Sequence, residues 1–122
     1  ILLDEGLTSL ELLPLIEKQG WSGLALKTCK GHSFSLVSAA WAHERGLKLA
    51  MQDLTNPGHS AIHSFLFAAH VGTINGVELN SPQYTPAANA SWLPEWSGLF
   101  QPTRGVHRFD KTDAYGLGSN LS

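Results

Sequence analysis

The sequence predicts an α/β fold on parallel strands, half of a (β/α)8 TIM barrel, from three observations. Short apolar runs centred on Leu3, Leu26, Ala50 and Val77 recur 23, 24 and 27 residues apart. Helical-period stretches separate them, and a strand–helix–strand repeat of near-constant length is what a parallel sheet requires. Each run ends on a polar residue: Asp4, Lys27, Gln52 and Glu78. A barrel gathers its active residues at such C-terminal strand ends. A doubly wound nucleotide-binding sheet instead wants a glycine-rich first turn, and Glu5-Gly-Leu-Thr8 holds one glycine. Four units are half of the eight that close a barrel. The chain also opens on Ile1-Leu-Leu-Asp4, already strand-like and without an initiating methionine, so it is expected to continue a longer sequence.

Ile1 to Asp4 is the first strand, with Leu2 and Asp4 on one face by alternation. Thr8 or Ser9 caps a helix through about Gln19 that carries Leu12, Leu15 and Ile16; Pro14 moves its start later, and Gly20 stops it. Leu24 to Lys27 is the second strand. After the turn Thr28 to His32, Ser33 caps a helix to about Arg45, with Phe34, Val37, Ala40 and Trp41 on one side and Gly46 behind it. Leu47 to Gln52 is the third strand, and Asp53-Leu-Thr-Asn-Pro-Gly58 is a turn-rich loop. A third helix spans His59 to His70 and buries Ile62, Leu66 and Ala69. Gly76 to Leu79 is the fourth strand, ended by Asn80-Ser-Pro82. Residues 1–82 thus form four βα-type units. Residues 83–122 form an irregular closing segment, loops with one short helix near Ala87 to Trp92, because Pro, Gly and scattered aromatics carry no period there.

Composition narrows the function classes. At 122 residues the chain is one domain or part of one, 43% hydrophobic and 15% charged, with a net charge of −2. Its 8 Lys+Arg are scattered, which leaves no electrostatic footprint for nucleic acid or an acidic membrane. No apolar run approaches the roughly 18 residues of a membrane span, and no basic stretch precedes an apolar one as in a secretion signal. Cys29 is the single cysteine and cannot pair within the chain, which favours a reducing cytoplasm. It has no sequence-adjacent base to make it a nucleophile. His59 and His63 lie four apart on one helix face, but His70 falls on another, so a zinc triad is not expected.

Lys27 is the first candidate for chemistry. Lysine is a poor strand residue and is rarely buried without a partner, so one at the end of an apolar strand suggests a site at the strand's mouth. The plainer reading is a lysine whose stem packs on the strand while its ammonium reaches solvent.

With these residues in place, the chain resembles the C-terminal half of an enolase-superfamily barrel. It is closest to the muconate-lactonizing and dipeptide-epimerase group of the mandelate racemase/muconate lactonizing enzyme family. Leu3-Asp-Glu-Gly6 looks like that family's fifth-strand end, Leu26-Lys-Thr-Cys-Lys-Gly31 its sixth-strand motif, and Gly76-Val-Glu-Leu-Asn-Ser-Pro82 its eighth-strand end. The tail from Arg104 to Gly118, with Tyr115-Gly-Leu-Gly118, resembles the family's closing segment. Two features depart from it: His32 stands where a second glycine is usual, and Ala50-Met-Gln-Asp53 lacks the seventh-strand histidine of the mandelate racemase subgroup.

The resemblance implies strands 5 to 8 of the barrel and a Mg2+-dependent isomerase or lyase that removes a proton α to a carboxylate. Asp4 is then a metal ligand, one of three, and Lys27 the acid/base catalyst. Glu78, Gln52 and Asn80 are substrate contacts, and Lys30 is either a solvated turn residue or a contact to a substrate carboxylate or phosphate. The expected partner is a small carboxylate-bearing substrate, with no nucleic acid or membrane, in a full-length protein that is a homo-oligomer. The isolated chain is expected to be inactive and to associate through its unpaired sheet edges. The alternative is a noncatalytic half-barrel interaction module in which Asp4, Lys27 and Glu78 form a structural network.

Overall fold

In the computed structural model, residues 1–109 are described. Three strands, β1 (Leu2–Leu3), β2 (Gly23–Leu26) and β3 (Lys48–Met51), form one parallel sheet in the order β1-β2-β3. Leu3 pairs with Leu24, Ala25 with Ala50, and Leu26 with Met51. The crossovers are α1 (Leu13–Lys18), entered through a 3-10 turn at Leu10–Leu12, and α2 (His32–Glu44). After β3 come α3 (His59–Val71), α4 (Ser81–Tyr84), a 3-10 helix Pro86–Trp92 and α5 (Leu93–Phe100). Among the described residues no helix is long and apolar enough to cross a membrane.

The half-barrel expectation is overturned, because among the described residues the sheet has three strands and not four. Gly76 to Leu79 contributes a single parallel bridge, Gln52 to Glu78. The chain meets β3 through Glu78 N–H to the Met51 carbonyl (2.9 Å) and Asp53 N–H to the Glu78 carbonyl (3.1 Å), and then leaves. The Asp53 carboxylate diverts it: Oδ2 accepts the N–H groups of Asn80 (2.9 Å) and Ser81 (3.1 Å), turning the backbone into α4. A strand continuing past Glu78 would need those N–H groups in the ladder. The tail differs too. The one short helix expected near Ala87 to Trp92 is the 3-10 helix Pro86–Trp92, and where loop was expected on either side of it α4 and α5 form, each with a proline in its first turn, where the missing N–H costs nothing. Tyr115-Gly-Leu-Gly118 lies outside the described residues.

Two apolar clusters hold the elements. Leu7, Leu13, Ile16, Leu24, Leu26, Leu49, Met51 and Phe67 fill the larger one, between the sheet and its helices. Ile62, Leu66, Trp96, Leu99 and Phe100 fill the second, where α5 packs on α3. Helix α2 buries Ser35, Ser38, Ala39 and Ala42, while Val37 and Ala40 of the expected stripe are exposed. Short side chains let this helix lie close to the strands, and the larger Phe34 and Trp41 pack at the rim of the cluster. Helix α3 likewise leaves Ala69 exposed and adds Ala61, Phe67 and Ala68 to its buried face.

Candidate functional site

The C-terminal ends of the parallel strands bring the candidate residues to one end of the sheet. The register that pairs Leu26 with Met51 sets Lys27 level with Gln52, and Gln52 bridges to Glu78. Lys27 follows β2 directly and is 2% exposed. Its ammonium is held from the end of the neighbouring strand: Asp4 Oδ1 lies 2.6 Å from Nζ, and Glu5 Oε1 accepts a hydrogen bond from the same nitrogen. One buried cation therefore faces two carboxylates, as a buried ammonium must to offset lost hydration.

Burial pushes the Lys27 ammonium toward its neutral form. Hydrogen bonding and Coulomb attraction from Asp4 and Glu5 together outweigh this, so its pKa stands above the ordinary lysine value. Lys27 is consequently protonated at neutral pH in this arrangement. The hydrogen bond from Lys27, followed by its positive charge, holds the Glu5 carboxyl below the ordinary glutamate value, and the Lys30 charge adds to this. Glu5 is not among the site residues expected from the sequence, although it stands in the Leu3-Asp-Glu-Gly6 stretch. Its position next to a strand-end acid was the available signal.

Lys30 closes the 3-10 turn Thr28–Lys30 and reaches across to the loop after β1. Its Nζ donates to the backbone carbonyls of Leu7 (3.1 Å) and Asp4 (3.4 Å). The carbonyl of Lys27 is fixed as well, accepting the Lys30 N–H (3.0 Å) and the Ser35 hydroxyl (3.3 Å).

The remaining candidates form a separate cluster. Glu78 is exposed, and its two oxygens accept one amide each: Oε2 from Gln52 Nε2 (3.1 Å) and Oε1 from Asn80 Nδ2 (3.0 Å). Asp53, read as a turn residue, lies beneath them at 1% exposure and accepts N–H groups from Thr55 (2.8 Å), Asn80 and Ser81. The strand ends thus carry an ion-pair cluster on β1 and β2 and a carboxylate–amide cluster beyond β3.

Asp4 tests the expected magnesium. The ion takes six oxygen ligands in near-octahedral geometry, and Asp4 offers hard oxygen of the right kind. Its Oδ1, however, is already against the Lys27 ammonium, and among the described residues no three His, Cys, Asp or Glu side chains group to hold a metal. The described residues therefore do not hold the ion by themselves. The histidines lie elsewhere, with ring centroids 5.9 Å apart for His59 and His63 and 6.0 Å for His32 and His63. Cys29 is free and exposed on the turn after Lys27.

No family model, curated protein or solved structure matches this chain.

Proposed function

We propose that the Lys27 cluster is a proton-transfer site for a small carboxylate-bearing substrate, in an isomerase or lyase of the enolase-superfamily kind, working in the cytoplasm. The observation that carries this reading is a buried ammonium at the C-terminal end of the central parallel strand, flanked by two acids of which one, Glu5, is exposed. Parallel α/β sheets bind their ligands at that end. Once a substrate draws Asp4 and Glu5 off it, an ammonium there attracts the substrate carboxylate and favours the extra negative charge that develops when the neighbouring carbon loses its proton. Lys27 holds a proton at Nζ and is suited to return it to that carbon. For it to accept one instead, Asp4 and Glu5 must first withdraw, since they hold the ammonium charged. Glu78, its oxygens fixed by Gln52 and Asn80, is the second polar contact at the same sheet end. The single exposed cysteine supports the compartment.

A second reading is a structural network with no turnover, and the same pairing favours it, because a buried lysine needs its partners whatever the protein does. Lys27→Met separates the two. Incubated in deuterium oxide with a panel of α-hydrogen carboxylates, the protein is expected to exchange a substrate α-proton. The variant is expected to lose this by at least about a hundredfold, the scale of one general acid–base group, at a temperature where it is still folded by circular dichroism, although loss of the ion pairs lowers its melting temperature. Loss of stability with no exchange in either protein establishes the network.

A further inference from the structure

The geometry points to Lys30 as a positioning residue that acts on Lys27 through the Asp4–Leu7 turn, rather than as a substrate contact. This rests on the proton-transfer reading for its significance, but its geometry is independent of any substrate. Asp4 and Glu5 sit at the end of a strand only two residues long, so backbone pairing ends at Leu3. Beyond that point the turn has its own closure, Leu7 N–H to the Asp4 carbonyl at 3.1 Å, and is anchored by Leu7 at 1% exposure.

Lys30 Nζ donates to both carbonyls that bound this turn, Asp4 and Leu7. Its own backbone is tied to Lys27 by the N–H it donates to the Lys27 carbonyl. Lys30 therefore links the turn that carries the two acids to the turn that begins with the ammonium they hold. Two charge-assisted hydrogen bonds to carbonyls fix the direction in which Asp4 and Glu5 leave the strand. The closure of the turn and the Leu7 anchor set its shape, and the two Lys30 bonds set it against the Lys27 turn, where Glu5, whose side chain is 76% exposed, meets the ammonium. A ligand-binding lysine would need its ammonium free, whereas this one is engaged with backbone that no ligand displaces cheaply.

The test reads the Lys27 ammonium directly, at one fixed pH near 6, in the full protein labelled with nitrogen-15 lysine. An ammonium locked in a buried ion pair exchanges its protons slowly enough to give a proton–nitrogen correlation. Lys27→Met identifies that signal by removing it. Lys30→Met is expected to abolish the protected signal while circular dichroism and cooperative melting persist, and Lys30→Arg, which still donates to both carbonyls, is expected to restore it. A Lys27 signal that survives Lys30→Met overturns the proposal, as does its absence from the wild-type protein or from Lys30→Arg. If Lys30→Met does not fold, Lys30→Gln is read by the same criteria. Turnover enters none of these outcomes, so failure of the proton-transfer reading is seen separately, in the α-proton exchange of the Lys27→Met pair.

Discussion

Replacing Asp53 with alanine removes the carboxylate that turns the chain from the sheet into α4. It accepts three backbone N–H groups, and the group is 1% exposed. A hydrogen bond to a charged partner contributes about 1.5–3 kcal/mol net. The Thr55 amide lies in a turn where water can replace the carboxylate, so most of the loss falls on the amides of Asn80 and Ser81. Asp53→Ala is therefore expected to cost about 3–5 kcal/mol, a large part of the roughly 5–15 kcal/mol that stabilises a domain. Asp53→Asn keeps one accepting oxygen but turns an NH2 toward N–H donors, and should cost about half as much. In urea, with a slope of about 2 kcal/mol per molar, the alanine variant's midpoint should fall by roughly 2 M. Hydrogen exchange should show the Asn80 and Ser81 amides opening first. A midpoint within about 0.5 M of wild type, with both amides still protected, would refute the assignment of Asp53 as the residue that steers the chain.

The Lys27 cluster gives stability two pH limits. Glu5 titrates below its ordinary 4.5 in the folded protein, so its contribution is complete above that value and disappears as pH falls through the lower folded one; Glu5→Gln should flatten the acid arm of a stability–pH curve. Lys27 titrates above its ordinary 10.5, so its contribution is complete below that value and is lost as pH rises through the higher folded one, an alkaline loss that Lys27→Met should remove. Gly23→Ala should abolish folding or cost more than about 3 kcal/mol in a denaturant melt, because a β-carbon there would stand 1.9 Å from the Lys48 carbonyl oxygen of the paired strand. A variant as stable as wild type would contradict the β2–β3 register.

Strands β2 and β3 and helices α2 and α3 were legible because apolar runs and glycine stops mark them within a residue or two. The fourth strand was not. Gly76-Val-Glu-Leu79 alternates like a strand, and nothing local reveals that a carboxylate about 25 residues upstream captures the next two N–H groups. The face of α2 was misread for a related reason: the helix turns serine and alanine inward, and size, which usually marks a core, here marks the rim. Pro82, expected to help end the fourth strand, and Pro94, in a stretch expected to be loop, are first-turn residues of α4 and α5. At the site, strand-end reading brought Lys27 and Asp4 together correctly in space. It missed Glu5 and left Lys30 between a solvated turn residue and a substrate contact, because the bonds both make join two turns more than 20 residues apart.

Strand β1 is two residues long and, among the described residues, has one neighbour, so its docking equilibrium has little backbone pairing to favour it. The Lys27 ion pairs close that equilibrium from the side-chain layer, which makes strand docking and site assembly a single event. A ligand that binds only the docked form must then stabilise the docked strand, by RT ln(1 + [L]/Kd), and one that draws the acids off Lys27 must release it. Amide exchange of Leu3 would report ligand occupancy at the strand ends without any turnover, and an edge left open in the unliganded protein would close as the site fills.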